Sequence, residues 1–120
     1  MNIHITRLRE ALETLPEELG KGYLLKWPPY EYCAVGWLAH KAGVEEEDLL
    51  GIRSLNTTGN QDIVGDYYNM SYTDIDDLMD ANDTSFKEER RQKVMFVMSN
   101  IIRSMEEENK LIGEKTNEQV

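Results

Sequence analysis

Residue types able to carry nucleophilic or metal chemistry are sparse in this chain: one cysteine, Cys33, and two histidines, His4 and His40. Cys33 stands near the start of a helical stretch, where the helix dipole can lower a thiol's pKa and make a nucleophile. A nucleophile also needs a base within hydrogen-bond reach. His40 follows seven residues later on the same helix, a rise of about 10 Å along the axis, which is too far for a dyad. The residues favour a buried structural cysteine. Zinc takes four Cys or His ligands, or three with a water; the chain offers one Cys and two His in all, so a site would need all three to converge or carboxylates to complete it.

Two further patterns start and then fail. A calcium loop could open at Asp80, with Asn82 and Thr84 at its third and fifth positions, but Ser85 stands where glycine is required and Arg91 where a bidentate glutamate belongs. Gly20-Lys21-Gly22 has a lysine between glycines, yet a phosphate cradle needs a longer glycine loop between a strand and a helix. GxSxG, Walker and Rossmann patterns are absent. The sequence therefore assigns no catalytic residue, no metal and no cofactor, and reads as a non-enzyme.

Carboxylates are what the chain has in excess. Its net charge is −10, and the imbalance is local: residues 1–44 hold five Lys/Arg against five Asp/Glu, residues 86–120 hold seven of each, and residues 45–85 hold eleven acids against Arg53 alone. The candidate partner-binding residues follow from this: Glu45, Glu46, Glu47, Asp48, Asp74, Asp76, Asp77, Asp80 and Asp83. A negative field of this kind repels nucleic acid and attracts a basic protein surface. It would equally serve plain solubility.

The elements that must position these acids are helical. Gln61–Asp83 reads as two short helices joined by a tight turn, with Ile63, Val64 and Tyr67, then Ile75, Leu78 and Met79, at helical spacing. Asn69 suits a left-handed residue ending the first helix, and Ser71 caps the second with Asp74 in the capping-box position. The outline is that of a helix-turn-helix. However, Asp74, Asp76, Asp77 and Asp80 would lie on the helix that enters the major groove, where cations are needed. On helical geometry Ile75, Leu78 and Met79 take the buried side, so the aspartates face water.

Around this pair, Ile5, Leu8, Leu12 and Leu15 mark a first amphipathic helix ended by Pro16, with a further turn over Glu17–Leu19 closed by Gly20. Tyr23–Trp27 reads as an extended arm rather than a hairpin, forced on by Pro28-Pro29. Glu31–Ala42 reads as the central buried helix: Cys33, Ala34, Gly36, Ala39 and Ala42 are small, and Gly43 caps its end. Glu45–Leu50 is a short acidic helix with Leu49, Leu50 and Ile52 inward, and Ser54–Asn60 is a loop. Asn82 is placed to end the acidic helix in the left-handed conformation, and Ser85 to cap the last one through S-x-x-E with Glu88. That last helix runs from Phe86 to about Ile112, with Val94, Met98, Ile101 and Met105 on its inner seam. Together these predict an all-α, compact single-domain bundle of five or six helices over residues 1–112, with a polar tail, 113–120, that frays.

At 120 residues, 40% hydrophobic and 30% charged, the chain suits one soluble domain. No apolar run reaches the roughly 18 residues of a membrane span, and MNIHITRLREALETL lacks a signal peptide's apolar centre, which points to the cytoplasm and to no membrane partner. A single cysteine excludes an internal disulfide.

CAVGWLAHKAGV, YYNMSYTDIDDLMDAND and the helix from Arg90 resemble a family of small bacterial and phage proteins of unknown function. Members carry C-A-x-G-x-L, an A-G pair, a Y-G-L-S turn and an acidic helix closing in N-D. Cys33, Ala34, Gly36, Leu38, Gly43, Tyr68, Ser71, Asn82 and Asp83 carry the likeness, while Asn69-Met70 stands where Gly-Leu is usual. The resemblance implies a helical fold and a phage or prophage origin, and no activity.

The function expected is that of an acidic interaction protein that binds, and in one form inhibits, a basic partner such as a nucleic-acid-binding host protein, with no direct contact to nucleic acid. A second reading is a homodimer or assembly module using the Met-rich face of the last helix, where Met95, Phe96 or Ile102 would be left over from core packing. A third is DNA binding through Lys87, Arg90, Arg91 and Lys93.

Overall fold

A computed structural model describes residues 2–26, 31–53 and 61–118, the last seven as backbone only. It contains six helices and one two-stranded sheet among those residues: α1 Ile3–Glu13, β1 Leu25–Lys26, β2 Glu31–Tyr32, α2 Ala34–Lys41, α3 Glu46–Leu49, α4 Gln61–Tyr68, α5 Tyr72–Thr84 and α6 Lys87–Glu118. The all-α bundle is the fold observed. The Pro28-Pro29 corner and the Ser54–Asn60 loop lie outside the described residues.

α1 starts because the Asn2 side chain accepts from the backbone N–H groups of His4 (2.9 Å) and Ile5 (3.3 Å), filling two of the donors a helix start leaves open. Its buried face is Ile5, Leu8 and Ala11. It stops at Glu13, before Pro16 is reached, and the Glu17–Leu19 turn expected as helical is a bend. The carbonyls this bend leaves open are taken by arginines of α6: Arg91 donates to Pro16 (3.1 Å) and Leu15 (3.3 Å), and Arg90 to Leu19 (2.7 Å).

The arm is in fact a hairpin. Leu25 pairs with Tyr32 and Lys26 with Glu31, antiparallel. On the other side Leu24 N–H donates to Ile52 (2.7 Å) and Gly51 N–H to Leu25 (3.1 Å), with a parallel bridge between Leu25 and Leu50. Two partners satisfy the backbone of a segment whose Leu24 and Leu25 are fully buried, which a free arm could not do.

Because Glu31 and Tyr32 are strand, the central helix begins three residues later than expected. Cys33 is its N-cap, its Sγ accepting from Gly36 N–H at 3.3 Å. Ala34, Val35, Gly36, Leu38 and Ala39 are buried, and Gly43 closes the helix at φ +101°, the conformation glycine tolerates best. Gly36 sits on the hairpin: a Cβ there would lie 1.9 Å from the Leu24 carbonyl oxygen. α2 packs on α5, α1 and α4, whereas α6 packs along α5 and α1. Trp37 is half-buried rather than enclosed, its indole N–H donating to Ala11 at 3.1 Å. Leu50 is exposed, and only Leu49 of the short acidic helix points fully inward.

α4 buries Val64 and Tyr68 and leaves Ile63 exposed. Asn69 then takes φ +55°, and Ser71 and Asp74 form the capping box that starts α5. α5 runs through Asn82 to Thr84 instead of ending at Asn82. The Ser85 hydroxyl turns back to donate to Ala81, leaving S-x-x-E unformed, and α6 begins at Lys87. Val94, Met98, Ile101, Ile102 and Met105 of α6 are buried, and its backbone continues to Glu118, past the expected end at Ile112. None of the described helices is long and apolar enough to cross a membrane.

Candidate functional site

On α5, Ile75, Leu78 and Asn82 are buried at steps of three and four, so the positions between them point away from the core. Asp76, Asp77 and Asp80 are exposed and Asp74 is half-buried. Asp74, Asp77 and Asp80 succeed one another at every third residue and form a row. They line one wall of an open groove of about 430 Å³ whose other wall is α6, through Val97, Asn100, Ile101 and Ser104. Val97 also lines a second, more apolar groove of about 510 Å³, shared by Ala81, Glu89, Gln92, Lys93 and Phe96. The α5–α6 seam is thus acidic towards the start of α5 and apolar towards the α5–α6 turn. Phe96 is 67% exposed there.

Electrostatically the row is unopposed among the described residues. The ion pairs found there are Arg9–Glu106, Lys41–Glu10 (3.9 Å) and Lys93–Glu89 (3.6 Å), none of which involves an acid of residues 45–85. α6 contributes no arginine to it, because Arg90 is buried against the Leu19 carbonyl, Arg91 lies on Pro16 and Leu15, and Arg103 lines a different groove with Arg9 and Glu106. For the DNA-binding reading this removes two of four expected cations from the surface, leaving Lys87 and Lys93 exposed.

Asp83 does not join the row. It is half-buried, its carboxylate accepting from the Asn82 amide (3.0 Å) and Gly22 N–H (3.4 Å). The other acidic cluster, Glu45, Glu46, Glu47 and Asp48, is exposed at the start of α3. Its three glutamates line a separate groove of about 690 Å³ with Leu25, His40, Gly43, Val44 and Leu50, and Glu46 accepts from the Tyr32 hydroxyl at 2.9 Å. The two grooves share no lining residue, so the α3 and α5 clusters of candidate acids lie on separate surfaces.

Cysteine chemistry finds no support in the geometry. Cys33 is fully buried, and desolvation pushes its thiol up to about 12 despite the Gly36 N–H that favours the thiolate. His40 packs against the Tyr32 and Trp37 rings, at 5.0 and 5.6 Å between centroids, and His4 Nδ1 lies 3.0 Å from the Tyr67 carbonyl. No group of three or more His, Cys, Asp or Glu residues able to hold a metal occurs among the described residues. Burial likewise raises the Tyr68 hydroxyl, which donates to Leu38 at 2.8 Å. On the surface, the Tyr72 hydroxyl donates to Asp62, and that bond raises its pKa.

Of the apolar residues expected to be left over on α6, Ile102 is buried and Met95 half-buried, so Phe96 alone stands out. Beside it, Val97 is one of the apolar residues that widen the inner seam of the last helix by sequence, whereas Ala81 reads as ordinary helix interior. No family model, curated protein or solved structure matches the chain.

Proposed function

We propose that this chain is a non-catalytic interaction protein that offers the carboxylates of α5 to a basic surface on a partner protein. The observation that carries the reading is the row Asp74, Asp77 and Asp80, which lines an open groove with no ion-pair partner among the described residues, inside the segment that holds the whole net charge. Carboxylates without an ion-pair partner beside a seam that turns apolar at Ala81, Phe96 and Val97 supply two things a partner interface uses, long-range attraction and a dry contact. A nucleic-acid-binding host protein has the surface such a site would take, and covering that surface would inhibit it. The likeness to small phage and bacterial proteins is compatible with this role.

The test is the triple variant Asp76→Lys, Asp77→Lys, Asp80→Lys in a capture experiment from host lysate, run beside the unmodified chain at low and high salt. The reading requires a basic protein that the unmodified chain retains, that the variant loses, and that rising salt releases. Retention by the variant at the same level rejects it.

A further inference from the structure

The acidic groove and the apolar groove meet at Val97 and form one seam. From Glu89 to Ser104, its limits on α6, the seam spans about 22 Å at 1.5 Å per residue, the length of a helix of about fifteen residues. We infer that this seam receives a basic amphipathic helix, whose apolar side rests on Ala81, Phe96 and Val97 and whose Lys or Arg side chains reach Asp74, Asp77 and Asp80. The inference rests on the interaction reading above and specifies the partner's form.

Two independent properties choose this occupant. One is charge complementarity: one wall presents three carboxylates in a row with no cation of the chain bound to them among the described residues, so a cationic ligand meets unsatisfied field. The other is Phe96, a large aromatic ring 67% exposed in the middle of a long helix, next to the half-buried Ala81 and Val97. A ring in that position gains most by being covered with apolar side chains, and a helix laid in a groove with anchors three and four residues apart does so. The cation in the apolar groove, Lys93, is already held by Glu89 at 3.6 Å. A second copy of the chain fits less well, because it brings the same charge of −10 to the seam and like fields repel.

Fluorescence anisotropy with labelled synthetic peptides tests this on the full chain. Three peptides of about fifteen residues serve as probes: a leucine–lysine amphipathic helix, a peptide of equal positive charge with serine for leucine, and a leucine–glutamate amphipathic helix. The expected result is that the leucine–lysine helix binds tightest, and that Phe96→Ser weakens it about tenfold. Phe86→Ser, at a ring 76% exposed and outside the groove, leaves it unchanged. Both positions are exposed enough that the variants fold, which circular dichroism verifies. Equal binding of the serine peptide and no effect of Phe96→Ser overturns the helix-in-seam inference, while leaving the acidic surface standing if Asp76→Lys, Asp77→Lys, Asp80→Lys still releases the peptide. Equal binding of the leucine–glutamate helix, or no binding of any peptide, overturns both. A dimer seen by sedimentation that Phe96→Ser dissolves makes a second copy the occupant and overturns the inference.

Discussion

Asn82 joins three parts of the fold through one side chain. It is fully buried, its Oδ1 accepts from the Ala34 N–H at 2.9 Å, and its Nδ2 donates to the Gly20 carbonyl at 2.7 Å and to Asp83 at 3.0 Å. Ala34 is the first residue of α2 and Gly20 lies in the bend after α1, so α5 is tied to both through the same amide. Asn82→Leu keeps the volume and removes every polar atom, leaving one buried donor and one buried acceptor without partners. Each such orphan costs about 1–3 kcal/mol, so the variant should lose about 2–6 kcal/mol of a total stability on the order of 5–15 kcal/mol. Asn82→Asp keeps the acceptor for Ala34 but sets a buried carboxylate against the Gly20 carbonyl and the Asp83 carboxylate, and should cost at least as much as Asn82→Leu. Urea unfolding followed by far-ultraviolet circular dichroism and by tryptophan fluorescence measures both. If Asn82→Leu unfolds within about 0.5 kcal/mol of the unmodified chain, the range of a surface substitution, the bridging argument is wrong.

Gly36→Ala would normally stabilise a helix interior by about 0.5–1 kcal/mol. Here the added methyl meets the Leu24 carbonyl carbon and oxygen at 2.6 and 1.9 Å, so a loss of roughly 1–3 kcal/mol or more is expected in urea, and a gain would contradict the packing. Cys33 should resist a thiol reagent at pH 8 in the folded chain and react once urea is added. Its folded pKa of about 12 stands above the ordinary 9.0, so the folded state keeps a proton the unfolded state releases; its contribution is whole below pH 9 and is lost as pH climbs towards 12. A Cys33→Ala variant should flatten that alkaline decline, which thermal unfolding at stepped pH would reveal. Reversal of Asp76, Asp77 and Asp80 to lysine should shift stability by no more than about 0.5 kcal/mol, since all three are exposed; a large loss would give these carboxylates a folding role.

What could be read from the sequence was what the chain settles within a few residues of itself. Asn69 at φ +55°, the Ser71–Asp74 box and Gly43 at φ +101° follow from local turn and cap chemistry. The inner seam of α6 follows from helical spacing, since Val94, Met98, Ile101 and Met105 are all buried. What escaped was set by partners distant in sequence. Asn82 has cap composition, yet its amide is claimed by Ala34 and Gly20, 48 and 62 residues away, and the helix runs past it. The hairpin escapes the sequence because its second strand, Glu31–Tyr32, shares helical spacing with the residues of α2 that follow, and the Leu50–Ile52 segment on its other side carries no strand pattern. At the site, the exposure of Asp76, Asp77 and Asp80 was legible from periodicity, whereas the inward turn of Asp83 depends on Gly22, across the fold.

The charge that solvent meets differs from the charge the sequence counts. Formally residues 1–44 and 86–120 are balanced, but several of their cations serve the interior. Arg7 donates to the Tyr67 carbonyl at 3.1 Å, with its guanidinium 4.1 Å from the Tyr67 ring. Tyr67 lies in the last turn of α4, where a cation complements the negative end of the helix dipole. Arg90 and Arg91 hold the carbonyls of the bend after α1. Arginine suits this because its donors are spread over a rigid planar fork, so Nε and Nη2 of Arg91 reach separate carbonyls, whereas a lysine has all its donors on one nitrogen. The acids of α5 sit beside α6 yet meet none of its first arginines, whose guanidinium groups are committed to the bend carbonyls. Arg91→Lys separates the two roles: the net charge stays at −10 while one of the two bend carbonyls, Leu15 or Pro16, loses its donor. Stability should then fall by about 1–3 kcal/mol with binding of a basic ligand at the groove unchanged. A gain or loss of that binding would mean that Arg91 samples the groove and that its acids are partly neutralised from within.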